Sequence, residues 1–404
     1  MEPSPASTLR IADPNAARLN AEAMQAMAGR RLAEAKRLLQ EGLALDSSYA
    51  PLWLNLAAIQ RAENDLAGAL ASVEAALKID PMAFPALLMR GSLLDAQGSQ
   101  REAARAYSIA LTRLPPADRL DDSMRRTVER AIAVSDSFAA ELAFQLDKEL
   151  RPDISGGSAA STRRMNHFLD HLSGRRRPYW PQPTNFFYPG LPAIEFYDRE
   201  DFPWIAMVEA ATSDVRGELL ALLGDNEAAA RELEPYMQRP DDQPVQQWGK
   251  LNNSLDWSAY HFAYMGKLYD EHRRTCPKTA ALLDQVPFPV IQNRSPAALF
   301  SILQPKTHIP AHTGAGNVRL LCHLPLVLPP DCRFRVGNSV RAWHMGEALV
   351  FDDTLEHEAW NDSDQVRAVL IFDIWHPHLS PEERDFISRS LASVDAFMAS
   401  GSPP

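Results

Sequence analysis

The sequence predicts a chain of two unlike parts: an N-terminal α-helical array built on a short repeat, then a jelly-roll domain of short β-strands. Two observations carry this. Over residues 15–116 a helical hydrophobic pattern returns at a fixed step, and from about residue 287 that pattern gives way to short strand-like runs. The length of 404 residues agrees, since it exceeds what one core is expected to hold.

The repeat is read from residues in register. Ala35, Ala69 and Ala103 are 34 residues apart, as are Gly42, Ala76 and Ala110, and then Leu43, Leu77 and Leu111. Asp46 and Asp80 repeat, Pro81 and Pro115 repeat, and Trp53 aligns with Leu87. Small residues let two helices of a unit approach closely. Proline ends the second helix because it cannot continue the hydrogen-bond ladder. This pattern resembles the tetratricopeptide repeat, in which stacked units share a core that none has alone. The resemblance implies a concave groove that takes a peptide or partner protein; a helical cap or dimerisation surface is the alternative.

Residues 117–178 read as a helical connector and linker. Val128, Ala131, Ile132 and Phe138 keep helical spacing over 117–150, and the small residues 155–161 read as a loop. Residues 178–204 are too rich in aromatics for a disordered linker, so an ordered lead-in is expected. Helices are expected at about 203–223 and 226–237.

Charge and cysteine usage exclude several classes. A net charge of −11 and a pI near 5.5 argue against a nucleic-acid binder, and Arg175–Arg177 reads as a solvated linker run. Cys276, Cys322 and Cys332 are too few and too scattered for a disulfide framework, which fits a reducing compartment. No signal-like opening and no run of about 20 apolar residues is found, so a cytoplasmic protein without a membrane span is expected.

Residues 179–404 form the expected strand domain, with a strand core at about 287–377. Candidate strands are 297–304, 317–328, 332–337, 347–352, 356–361 and 366–375, separated by turn signals such as Pro329-Pro330-Asp331 and Gly337-Asn338. A jelly roll that binds iron takes one ligand from an early core strand and a second from a late strand paired beside it. His312 and His357 have that relation, and neutral imidazole suits Fe(II). His308 reads as a loop histidine, and His344, His376 and His378 as surface or core. Asp352 and Asp353 read as turn residues, with Asp353 alternatively supporting a ligand histidine. Glu356 and Glu358 alternate away from His357 on a regular strand.

Five segments together resemble the aspartyl/asparaginyl β-hydroxylases: His312-Thr-Gly314, Asn317-Val-Arg-Leu320, His323-Leu-Pro-Leu326, Phe351-Asp-Asp-Thr-Leu-Glu-His357-Glu-Ala-Trp360 and Phe372-Asp-Ile-Trp-His-Pro377. The resemblance runs from about Trp180 to Glu383. It implies an Fe(II)- and 2-oxoglutarate-dependent dioxygenase that uses O2 to hydroxylate the β-carbon of Asp or Asn. His312 and His357 would bind iron with no carboxylate ligand, since Gly314 stands where the usual Asp would be. Trp257, Ser301, Arg319, His323 and Arg367 match cosubstrate-pocket positions, with Arg367 pairing the distal carboxylate. Trp257, Trp360 and Phe351 are candidates to line the pocket. One departure stands out: the family reads Arg-Leu-Arg where this chain has Arg319-Leu320-Leu321. Two further readings stay open. The same iron site could act on a small or fatty-acid-like molecule, or the jelly roll could be non-catalytic, with the repeats as a protein-interaction module.

Overall fold

The computed structural model describes residues 12–154, 158–225, 231–240 and 248–400. The chain divides into two compact units, residues 1–176 and 177–404.

The first unit is a stack of helix pairs: α1 (Pro14–Ala28) with α2 (Leu32–Leu45), α3 (Ala50–Ala62) with α4 (Leu66–Ile79), and α5 (Phe84–Ala96) with α6 (Gln100–Leu111). The second helices start at 32, 66 and 100, which is the 34-residue step again. Ala35, Ala69 and Ala103 are fully buried where paired helices cross. Gly91 shows why small residues are needed: a Cβ there would lie 2.3 Å from the Tyr107 ring. The turns inside the pairs repeat too. Arg30, Asn64 and Gly98 occupy equivalent positions with φ of 59°, 62° and 80°, the left-handed conformation that ends a helix. A long helix α7 (Asp122–Leu150) closes the stack, burying Val128 and Ala131 against Leu87, Leu88 and Tyr107. It is followed by α8 (Ala159–Leu172), whose start is capped by Ser158. Within the predicted loop at 155–161, residues 155–157 lie outside the described residues and 159–161 are helical. The Ser158 hydroxyl accepts from the Ser161 N–H, which makes the small-residue run a helix start.

The second unit is two facing sheets. Strands β4 (Ala298–Leu303), β11 (Arg367–Trp375), β6 (Arg319–Val327) and β9 (Leu349–Phe351) form the heart of the larger sheet. It is extended by β2 (Trp257–Tyr264), β1 (Glu234–Pro235) and β3 (Lys267–Leu268). The smaller sheet runs β5 (Thr307–His312), β10 (His357–Asn361), β7 (Cys332–Val336), β8 (Ser339–Arg341). From β4 onward the chain crosses from sheet to sheet, which is jelly-roll winding. Trp257 and Leu303 of one sheet meet Ile309, Phe334 and Ala359 of the other in the inner core. On the outer face of the large sheet, α9 (Ile205–Ala210) and α10 (Thr212–Gly224) cover Phe262, Phe300, Leu324 and Phe372.

Three expectations are corrected. The strand core begins at Trp257, not near 287. Trp-Ser-Ala-Tyr-His-Phe-Ala of β2 is buried on both faces and so lacks the alternation that marks a half-exposed strand. Thr307–His312 is a strand despite Pro310, because it is the edge of the small sheet, where a missing N–H is tolerated. The helix expected at 226–237 is not continued at its C-terminal end, where Glu234–Pro235 pair with β2; residues 226–230 lie outside the described residues. The aromatic lead-in is an ordered strap. Gln182 N–H donates to the Thr354 carbonyl at 2.8 Å, Thr184 N–H to the Gly314 carbonyl at 2.9 Å, and Tyr188 exchanges two hydrogen bonds with the Asn317 side chain.

Candidate metal centre

The centre starts from one strand pair. β5 and β10 run antiparallel with His312 directly opposite His357, and their ring centroids are 4.0 Å apart. Each ring is oriented the same way. The Nδ1 of His312 is 2.8 Å from the Pro310 carbonyl, and that of His357 is 3.0 Å from the Leu355 carbonyl. A carbonyl only accepts, so each Nδ1 carries the proton and each Nε2 keeps a free lone pair. Burial holds both rings neutral. It pushes His312 down to about 3, helped by the neighbouring His357, and His357 down to about 4. Neutral imidazole is the form that binds a divalent metal.

No carboxylate completes the pair at position 314. A Cβ on Gly314 would lie 2.0 Å from Asp353 Oδ2, so the Asp353 carboxylate already fills the space over that backbone. Among the described residues no group of three or more His, Cys, Asp and Glu side chains converges on a metal position. The donor set here is two histidines.

Both histidines line a cavity of about 970 Å³. One wall is aromatic: Tyr236 stacks on Trp257 at 3.8 Å, and Trp248 meets the edge of His312 at 4.9 Å. Arg319, Leu321 and Asp353 also face this space. Arg319 reaches Asp373 Oδ2 at 3.4 Å. Burial raises the Asp353 carboxyl, and the nearby Arg319 opposes that shift.

Ser301, His323 and Arg367 are not among the residues lining the cavity; they lie in the buried interior. Trp257 Nε1 donates to Ser301 Oγ at 3.0 Å. Arg367 is 1% exposed, and its Nε and Nη2 have no hydrogen-bond partner. Its guanidinium lies 4.7 Å from the Trp343 ring centroid, and burial pulls it down to about 10. The Nδ1 of His323 is also buried without a partner. Buried, unpaired guanidinium N–H groups are costly unless an anion meets them. A carboxylate matches the guanidinium fork. The residues present therefore fit both iron and the distal carboxylate of 2-oxoglutarate.

The other histidines and pocket candidates sort themselves by environment. His308 is on β5 rather than in a loop; it faces outward, stacking on Trp360 at 5.0 Å and pairing with Glu358. Trp360 is therefore not a pocket residue: it sits on the outer face between His308 and Arg333. Phe351 packs against His323 and His357 behind the cavity. His376 is buried on the Tyr197 hydroxyl at 2.7 Å, and His344 and His378 are exposed. Asp352 accepts from the Thr354 N–H and hydroxyl, which fixes the turn before β10. Glu356 lies in that turn and reaches the cavity rim, paired with Arg335, because the strand alternation begins only at His357. Trp248, Tyr236 and Trp343 carry no sequence signal of their role, because they lie in segments without strand or helix periodicity.

The aspartyl/asparaginyl β-hydroxylase family model matches residues 209–377. The ornithine lipid ester-linked acyl 2-hydroxylase of Rhizobium tropici is 32% identical over 221 residues, covering 54% of this chain and 73% of that protein. This chain belongs to the aspartyl/asparaginyl β-hydroxylase family. The human aspartyl/asparaginyl β-hydroxylase is 30% identical over 227 residues, which is 56% of this chain and 28% of that protein. The chain thus spans about a quarter of the human relative's length. The first unit resembles the Sgt2 tetratricopeptide domain of Aspergillus fumigatus at 22% identity and a TM-score of 0.27, covering 30% of this chain and 79% of that one. Every segment that carries the family resemblance in the sequence lies in the second unit.

Proposed function

We propose that this family member is an Fe(II)- and 2-oxoglutarate-dependent dioxygenase that hydroxylates the β-carbon of an Asp or Asn residue in a peptide or protein. The observation that carries it is the facing pair of His312 and His357, each with Nδ1 tied to a carbonyl and Nε2 free. When bound, iron with 2-oxoglutarate and O2 supplies the oxidising chemistry that places a hydroxyl on an unactivated C–H. The chain's own residues do the rest. His312 and His357 hold the metal. Arg367, assisted by His323 and Ser301, holds the distal carboxylate of 2-oxoglutarate. The Trp257 N–H orients Ser301. Arg319 lines the same cavity as the two histidines, and Trp248 and Tyr236 exclude water from the wall.

The test is anaerobic titration of Fe(II) and 2-oxoglutarate, followed by O2 and measurement of succinate. Wild type should bind both and release succinate, and His357→Ala should lose iron and succinate together. Succinate release by His357→Ala at the wild-type rate would remove the assignment.

A second reading, action of the same centre on a small or acyl-chain molecule, is favoured by Leu321 on the cavity wall and by the name of the Rhizobium relative. Product analysis on acyl and peptide substrates separates the two. For the repeats we infer a groove that engages a peptide or partner protein. We place the protein in the cytoplasm, supported by three buried, unpaired cysteines. No described helix is long and apolar enough to cross a membrane.

A further inference from the structure

The buried interior around Arg367 holds more hydrogen-bond donors than the chain has acceptors to meet them. Arg367 is 1% exposed, and its Nε and Nη2 have no partner among the described residues. Ser301 stands opposite Val369, two residues along β11 from Arg367, so both side chains lie on one face of the sheet. Its Oγ accepts from Trp257 Nε1, which leaves its own O–H to donate. A further donor comes from outside the sheet. Trp343 lies in the irregular link between β8 and β9, and its Nε1 is buried without a partner among the described residues. The indole is 3% exposed and held in place: it stacks on Phe334 at 5.1 Å and 14°, and the Arg367 guanidinium lies 4.7 Å from its centroid. An indole nitrogen only donates, so no change of tautomer relieves it. A phenylalanine would pack there without that penalty, since a buried N–H is costly unless an acceptor meets it. Two N–H groups from Arg367, one O–H from Ser301 and one N–H from Trp343 make four donors, and a carboxylate offers about four lone-pair sites.

We propose that Trp343 is a further binding residue for the cosubstrate: its indole N–H donates to the distal carboxylate of 2-oxoglutarate beside Arg367, and its ring supports the guanidinium. Arg367 supplies the charge and Trp343 a neutral donor. A second cation in place of the indole would leave two uncompensated buried charges whenever the pocket is empty. The arrangement selects 2-oxo acids that end in a carboxylate. This rests on the dioxygenase reading above and deepens it.

The experiment compares full-length wild type with Trp343→Phe, which keeps a ring and removes the N–H, both loaded anaerobically with Fe(II). Two ligands are titrated: 2-oxoglutarate, and 2-oxopentanoate, in which a methyl group replaces the distal carboxylate. The variant should bind 2-oxoglutarate about tenfold or more weakly, bind 2-oxopentanoate as wild type does, and keep its Fe(II) affinity. Unchanged 2-oxoglutarate affinity would overturn the proposal, and so would an equal loss for both ligands, which marks a packing role alone. If the variant does not fold, a crystal structure of wild type with Zn(II) and 2-oxoglutarate decides. Trp343 Nε1 should then lie about 3 Å from a distal carboxylate oxygen, and a separation beyond about 4 Å overturns the proposal. The two readings fail separately. A wild type that binds no 2-oxoglutarate removes the dioxygenase assignment and the role of Trp343 with it. A wild type that binds it and releases succinate under O2, with Trp343→Phe indistinguishable, removes the role of Trp343 alone.

Discussion

The two units bury different chemistry. Among the described residues of the repeat unit, the buried polar side chains are Asn20, Ser72 and Ser173, and the buried ionisable group is the Tyr107 phenol, which burial pushes up and so keeps neutral. The jelly-roll unit buries Arg367, Asp352, Asp353 and Asp373 with His261, His323, His357 and His376. The first unit is held by small side chains at helix crossings and by contacts between neighbours in sequence. The second carries ionisable groups that cost stability unless something meets them. The difference teaches where to look for function: in a fold that has every means to stay apolar inside, buried charge marks the site.

The sharpest way to break this comparison is to remove the most costly group. Arg367→Leu should weaken 2-oxoglutarate binding by about 3 kcal/mol, roughly 100-fold. It should leave the melting temperature of the ligand-free protein unchanged or raised, because the unpaired charge is gone. A destabilised protein with normal 2-oxoglutarate affinity would show that Arg367 is structural.

Acid should separate the units next. His261, His357 and His376 are pushed down to about 4 and His312 to about 3, chiefly by burial. Each binds a proton more readily when unfolded, so its stabilising contribution is full above about pH 6.5 and is lost as pH falls towards 4. Asp352, raised to about 7, works in the opposite sense, as do Asp353 and Asp373, which burial also raises, so the net loss is what the histidines leave after these three carboxyls are set against them. Between pH 7.5 and 4.5, amide protection in the β-strands should drop by about tenfold or more while that in α1–α6 holds. Hydrogen exchange read by mass spectrometry checks this, and an equal loss in both units would refute it.

Gly91→Ala reverses the experiment. Its Cβ would press on the Tyr107 ring, costing the array about 1–3 kcal/mol. The fall in protection should stay in α5–α7, and iron and 2-oxoglutarate affinities should not change. The smallest effect belongs to His308→Ala on the outer face of β5: stability within about 0.5 kcal/mol of wild type, and iron binding unaltered. Loss of iron there would mean that the histidine pair has been misassigned.

The sequence was most legible where periodicity and chemistry coincide. The helix step shows in Ala35, Ala69 and Ala103 because small residues at helix crossings leave little choice. The strands read at 317–328 and 366–375 end within two residues of β6 and β11. β2 and β5 stayed hidden, one because it is buried on both faces and the other because Pro310 reads as a breaker. In the site, His312 and His357 were named from a motif, but the features that orient them were not visible. The Pro310 and Leu355 carbonyls are backbone atoms, and Trp248 and Trp343 arrive from irregular segments. Trp360 departs from the expectation for a related reason: it lies three positions after His357 and so turns outward, and alternation decides the face only once the strand's register is known.

The order of strands has a consequence for synthesis. β11, which pairs with both β4 and β6, is the last strand made, and β10 inserts between β5 and β7 shortly before it. Until residue 375 has left the ribosome, the larger sheet is split along its middle and exposes four strand edges. A chain cut short before residue 366 would therefore keep its repeats but present open, apolar sheet edges. Premature stops and C-terminal truncations in this protein should appear as aggregation rather than as a smaller soluble enzyme.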